Sequence, residues 1–258
     1  MATISGAAGP TLVRIDSVPA RGASAPLIFE ARPSAARLLD IFTLRQTEYR
    51  AHSDYLLGNR AGRHPAEDDF DADAYQFCCT IGDEVVAACR YSPALDGRWE
   101  ASGLCPLPAG IRDVGDSPLQ ISRVVVRADM RRRLITEVML CLACRWLLEF
   151  TSHRSYFALC LPKLARYYEH FGAHAIEGGE VVLASRQGQL YHFVRGRMDT
   201  SDRVITEFLE LHESNPWSLP VRTERPRDVP SSAALSPARP THPGPTSLVS
   251  PTIERQHG

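Results

Sequence analysis

The chain has 258 residues, enough to bury a sizeable core. Its 29 Lys and Arg against 30 Asp and Glu leave a formal net charge of −1, so no global field draws it to nucleic acid or to an anionic membrane surface. Any anion site has to be local. The seven cysteines lie mostly in apolar runs, which reads as reduced core thiols in a cytoplasmic protein.

Residues 1–26, rich in Ala, Gly, Ser and Pro, read as a flexible arm with a short strand at 12–18, without the charged start and apolar core of a secretion signal. No apolar run approaches the ~20 residues a membrane span needs. A strand is expected at 27–31, then a helix from Ser34 as N-cap to about residue 51, with Leu38, Phe42, Arg45 and Tyr49 on one stripe. Residues 74–81 and 84–91 form two β-rich runs around Gly82-Asp83, a hairpin signal. Residues 119–126 are a nearly continuous apolar strand, as at the centre of a sheet.

A helix is expected over 131–150, with Leu134, Val138, Met139, Leu142, Trp146 and Leu147 toward the sheet. Cys141 and Cys144 have C-x-x-C spacing inside it, but no second pair or nearby His accompanies them, so packing is favoured over a metal site and none is assigned. A strand at 156–161 follows, then a helix opened by Pro162 and ended by Gly172. A hairpin of 180–184 and 190–194 and a last helix over 202–213 close the pattern. From residue 214 to the end stand nine of the 19 prolines with few aromatics, a composition that reads as a disordered tail. The fold class is therefore α/β (α+β): one domain over 27–213, a mixed, mostly antiparallel sheet flanked by helices.

Five spaced features stand out. Leu44-Arg45-x-x-x-Tyr49 puts an arginine on an apolar stripe, where it is either paired or snorkels. Asp68 and Asp71 lie in an acidic loop just before Ala74. Arg90 closes the apolar run 85–89 and could pair bidentately with those acids. Gln120-Ile121-Ser122-Arg123 runs through Val124 and Val126 into Arg131, Arg132, Arg133 and Thr136, an apolar strand feeding a basic loop and a helix start, the layout of a phosphate cradle. Tyr167-Tyr168 precedes Gly172, with core packing and a chemical role both open for Tyr168.

Together these features resemble the GNAT acyltransferase superfamily, and within it the branch of acyl-homoserine lactone synthases and N-acyl amino acid synthases. The resemblance spans residues 27–197 and implies a GNAT-like sheet and N-acyl transfer from an acyl thioester to a primary amine such as an amino acid. It implies Gln120, Arg123, Asp71 and Tyr168 as catalytic residues, with Arg45, Tyr49, Asp68, Arg90 and Ser122 on the amine side. Val124, Val126, Arg131, Arg132, Arg133 and Thr136 would receive the phosphopantetheine of an acyl carrier protein or of acyl-CoA, a co-substrate and not a bound cofactor. Tyr168 stands where many members protonate the leaving thiolate.

Two departures matter. Gln120 stands where the branch usually has Glu, and an amide cannot accept a proton as a base. Leu134 and Thr136 fill positions that are small in acetyl-CoA enzymes, so side-chain cations must do more of the phosphate binding, which favours acyl carrier protein as partner. Three alternatives stay open: a lactone synthase using S-adenosylmethionine, with Tyr55 as its one matching aromatic; an ordinary acetyl-CoA-dependent enzyme, which the filled glycine positions disfavour; and a catalytically dead GNAT-like binding domain.

Overall fold

The computed structural model describes residues 11–15, 26–58, 61–112, 117–131 and 133–211. The expected tail from 214 and most of the N-terminal arm lie outside them. Within the arm, β1 (Thr11–Ile15) is a strand that overlaps the expected 12–18, of which residues 16–18 lie outside the described ones. It pairs with β2 (Leu27–Ala31), followed by α1 (Ala35–His52), β3 (Tyr75–Ile81) and β4 (Glu84–Ser92). After a 3-10 turn at Glu100–Gly103 and a one-turn α2 (Ala109–Arg112) come β5 (Leu119–Val126) and α3 (Ile135–Phe150). The remainder is β6 (Ser155–Cys160), α4 (Pro162–His170), β7 (His174–Leu183), β8 (Gln189–Arg197) and α5 (Met198–Leu211).

The eight strands form one sheet in the order β1-β2-β3-β4-β5-β6-β8-β7. Every pairing is antiparallel except β5 with β6. The mixed, mostly antiparallel sheet flanked by helices is thus the architecture expected. Side chains alternate across each strand. On one face Cys78, Ala88 and Val125 pack with Ile41, Phe42 and Leu44 of α1. On the other, Phe77, Cys89 and Tyr91 pack with Val138, Leu142 and Trp146 of α3 and with Ala165 and Tyr168 of α4.

Local chemistry sets the element ends. Ser34 accepts a hydrogen bond from the Arg37 amide at 3.2 Å, capping α1 as expected. Gly172 ends α4 at φ 86°. The helix expected from 131 instead begins at Ile135. Leu134 adopts a left-handed conformation (φ 56°), which a helix cannot continue through, and residues 128–130 form a separate 3-10 turn. The arginines therefore precede α3 instead of forming its first turn. Strand β7 starts six residues before the expected 180, because a bulge separates Ala175 from Glu180 and breaks the alternation. Gly179 is obligatory in that bulge: a Cβ there would stand 2.7 Å from the Ile176 carbonyl oxygen. Helix α5 likewise starts four residues before the expected 202; residues 212 and 213 lie outside the described ones.

Candidate active site

Two irregularities in β5 create the site. Between the pairs Ala88↔Val125 and Arg90↔Ser122, β4 advances two residues and β5 three, so β5 carries a bulge, and Arg123 within it has φ 54°. On its other edge β5 pairs with β6 only through Leu119, Gln120 and Ile121. Beyond Ile121 the two strands part, while β6 stays paired to β8 through Cys160. A cavity of about 200 Å³ lies at the split. Gln120, Ser122, Arg123 and Val124 line it from β5, Ala158 and Cys160 from β6, Tyr49 from α1 and Tyr168 from α4. Because Gln120 and Ala158 belong to opposite faces, the cavity passes between the strands from the α1 side to the α4 side.

The α1 side is ionic. Arg90, fully buried, donates through Nη1 to Asp68 Oδ1 (2.6 Å), through Nη2 to Glu100 Oε2 (2.7 Å) and through Nε to Ser122 Oγ (3.0 Å). Arg123 donates through Nη2 to Asp68 Oδ2 (2.7 Å) and Glu100 Oε1 (3.0 Å), and its guanidinium lies 6.0 Å from the centre of the Tyr49 ring. Arg45, also fully buried, donates to Asp71 Oδ1 (2.8 Å) and Gln76 Oε1 (2.8 Å). The arginine on the apolar stripe is thus paired and does not snorkel. Asp71 accepts in addition from Arg90 Nη1 (2.9 Å), Gln76 and the Asp68 amide.

Burial alone would raise the Asp71 and Asp68 carboxyls. Arg45 and Arg90 outweigh it at Asp71, and Arg90 and Arg123 at Asp68, so both are held below the usual carboxylate range. Burial acts against the charge on Arg90 and Arg123, but Glu100 and Asp68 push both guanidinium groups upward, joined at Arg90 by Asp71. Asp68, Asp71, Arg90 and Arg123 are therefore charged at neutral pH. At Tyr168, burial pushes the phenol well above its usual range, so it holds its proton. In that state it cannot act as a base.

The structure thus brings Arg45, Tyr49, Asp68, Asp71, Arg90, Gln120, Ser122, Arg123, Val124 and Tyr168 into one region. Asp71 sits behind the cavity, with both carboxylate oxygens occupied by Arg45, Arg90, Gln76 and the Asp68 amide. Gln120 faces the cavity, and its Oε1 accepts the buried Ala101 amide at 3.0 Å, tying the Glu100–Gly103 turn to β5. Val126, Arg131, Arg133 and Thr136 do not line the cavity. Arg131 is ion-paired with Glu48 of α1, and Arg127 with Glu84 and Asp129. Arg132 lies outside the described residues. The first-turn amides of α3 receive no side-chain cap from Leu134.

Three contributors escaped the sequence reading: Glu100, Arg186 and Tyr191. Glu100 sits in a segment with no periodicity, and the other two flank the β7–β8 turn. A lone acid beside Trp99, between two strand signals, was the one hint at Glu100.

Residues 40–183, over half of the chain, match the family described as N-acyl amino acid synthase FeeM. The chain belongs to that family. Family membership makes it an acyltransferase. No curated protein matches it in sequence. In structure it is similar to FeeM itself, an N-acyl amino acid synthase from uncultured soil microbes, at 11% identity and TM-score 0.50 over 68% of this chain and 92% of that one. The AHL synthase LasI is similar at 10% identity and TM-score 0.55, covering 71% of this chain and 96% of that one. BjaI, a CoA-dependent acyl-homoserine lactone synthase solved with MTA, is similar at 18% identity and TM-score 0.51 over 67% and 82%. At such identities these likenesses establish the GNAT fold. Among the described residues no helix is long and apolar enough to cross a membrane.

Proposed function

We propose that this acyltransferase moves an acyl group from a phosphopantetheine thioester, carried by acyl carrier protein, to the α-amine of an amino acid. The observation that carries the reading is the split between β5 and β6 beyond Ile121, with a hydrogen-bonded arginine–carboxylate network on one side and Tyr168 on the other.

The thioester carbonyl lies against the free edge of β5 near Ser122–Val124, where backbone N–H groups stabilise the developing oxyanion. The amine attacks the carbonyl carbon, a C–N bond forms and the C–S bond breaks. The departing thiolate takes the Tyr168 proton, the amine's surplus proton passes to water, and the tyrosinate, disfavoured by burial, regains a proton from that water. Asp71 is a positioning residue that works through Arg45 and Arg90, and the amine is delivered already neutral, its ammonium proton having gone to solvent. Gln120 holds the turn that carries Glu100. Much of the rate gain is proximity of two bound reactants.

The donor's phosphate sits at the start of α3, where Leu134 gives the first-turn amides no side-chain cap and Thr136 and Arg133 are close in sequence. Leu134 and Thr136 limit the approach of a pyrophosphate, which favours the single phosphate of a carrier protein over coenzyme A. Arg131 reaches it only by leaving Glu48. The catalytic domain is residues 27–213, and such donors place the reaction in the cytoplasm. Mass analysis of small-molecule extracts from cells expressing the protein tests the reading. N-acyl amino acids support it, acyl-homoserine lactones transfer it to the lactone synthases, and no new amide in any background points to a dead binding domain.

A further inference from the structure

The charges around the cavity do not balance. Four arginines (Arg45, Arg90, Arg123, Arg186) face three carboxylates (Asp68, Asp71, Glu100) among the described residues. The first three arginines each hold a carboxylate at 3.0 Å or less. Arg186 does not. Its nearest carboxylate oxygen is Glu100 Oε1 at 3.9 Å, which already accepts Arg123 Nη2 at 3.0 Å, while Glu100 Oε2 serves Arg90. The surplus positive charge of the site therefore resides on Arg186.

Arg186 is nonetheless fixed in place. It belongs to the turn Ala184–Arg186 between β7 and β8, and its side chain is only 12% exposed. The guanidinium lies 5.7 Å from the centre of the Tyr55 ring and 5.0 Å from that of Tyr191, and the two phenol oxygens are 3.0 Å apart. Tyr191 also accepts a hydrogen bond from the guanidinium, and cation–π attraction by the two rings leaves its remaining in-plane N–H groups available. All three residues line the cavity. A cation seated on a rigid aromatic platform, inside a cavity and short of one anion, is built to take a carboxylate in bidentate fashion.

The geometry points to Arg186, framed by Tyr55 and Tyr191, as the anchor for the α-carboxylate of the amine substrate. This rests on the proposed acyl transfer to an amino acid and assigns the residue that recognises the acid. An α-amine is two bonds from its carboxylate carbon, so a carboxylate held here brings the nucleophile into the same cavity as the open edge of β5. Arg186 thereby selects amino acids over amines that lack the acid. The donor's phosphate is the other anion available to this site, and the test separates the two.

Calorimetric titration of the full chain with phenylalanine, phenethylamine and coenzyme A reads the anchor without turnover. The expected result is that the wild type binds phenylalanine roughly tenfold to a hundredfold more tightly than phenethylamine. Arg186→Gln should abolish that difference and leave coenzyme A binding unchanged, with Arg186→Lys recovering part of it. Equal wild-type binding of acid and amine overturns the inference without any variant. So does an unchanged phenylalanine affinity in a folded Arg186→Gln, or a loss confined to coenzyme A. Acid-selective binding lost in Arg186→Gln, but with no amide formed from any thioester, would keep the anchor and remove the acyl-transfer reading.

Discussion

Arg123 and Asp68 meet across 2.7 Å, joining a left-handed residue in the bulge of β5 to the loop that precedes β3. The bulge turns Arg123 toward that loop, and Asp68 spends its second oxygen on Arg90 of the neighbouring strand. The irregularity that opens the sheet is thereby pinned by the charged network beside the cavity.

Removing a partner from the most buried pair should be costly. Arg45→Met leaves Asp71 without its α1 partner in a site only 7% exposed. The expected loss is about 3–5 kcal/mol of unfolding free energy, because a buried charge loses compensation. Urea denaturation at pH 7 measures it.

Acid should loosen the fold through the same aspartates. Their folded pKa values lie below the ordinary 3.8, so the unfolded chain binds protons first as pH falls. The stabilisation is complete above about pH 5 and drains away as pH drops through 4 toward the lower folded values. Denaturation midpoints at pH 7, 5, 4 and 3 should show this loss, and Asp71→Asn should start lower at pH 7 and fall less steeply.

Gln120 is expected to act by position. Gln120→Glu keeps an acceptor for the Ala101 amide, so activity should stay within a few-fold with an unchanged pH profile. Gln120→Leu leaves that buried N–H unsatisfied, at a cost of about 1–3 kcal/mol, and frees the Glu100 turn. Its kcat/KM should drop at least tenfold. A pH optimum that moves in Gln120→Glu would instead make residue 120 part of the proton path.

Thiol reactivity should single out Cys105. Burial pushes Cys78, Cys141, Cys144 and Cys160 up to about 12 and Cys79 and Cys89 higher still. Such thiols are inert at pH 8. Cys105 is half-exposed and its thiol is raised by burial despite Arg186 nearby. A disulfide-exchange reagent should titrate one thiol in the native protein and all seven after unfolding. Cys141 and Cys144 also point apart, Cys141 toward Asp202 and Cys144 toward the Tyr91 hydroxyl.

Much of this was readable from the residues. The capping Ser34, the Gly82 turn and the continuous run 119–126 gave α1, the β3–β4 hairpin and β5, because each rests on local chemistry. Arg45, Asp68, Asp71, Arg90 and Arg123 could be grouped since charges on apolar stripes must find partners. Glu100 and Arg186 escaped because nothing local demands them: one lies in a 3-10 turn without periodicity, the other beside a hairpin turn. Their value appears only when β5 and β6 part and the β7–β8 turn folds over the opening. The start of α3 was misplaced for a related reason, since the left-handed Leu134 has no sequence signature of its own.

The most direct test is a thiol-release assay on purified protein given acyl-carrier-protein and acyl-CoA donors, with and without amino acids. The account predicts thiol release that requires an amino acid, an amide of matching mass, preference for the carrier-protein donor, and a loss of about a hundredfold or more in a folded Arg123→Ala variant. Thiol release indifferent to any amine, or no amide from either donor, would contradict it.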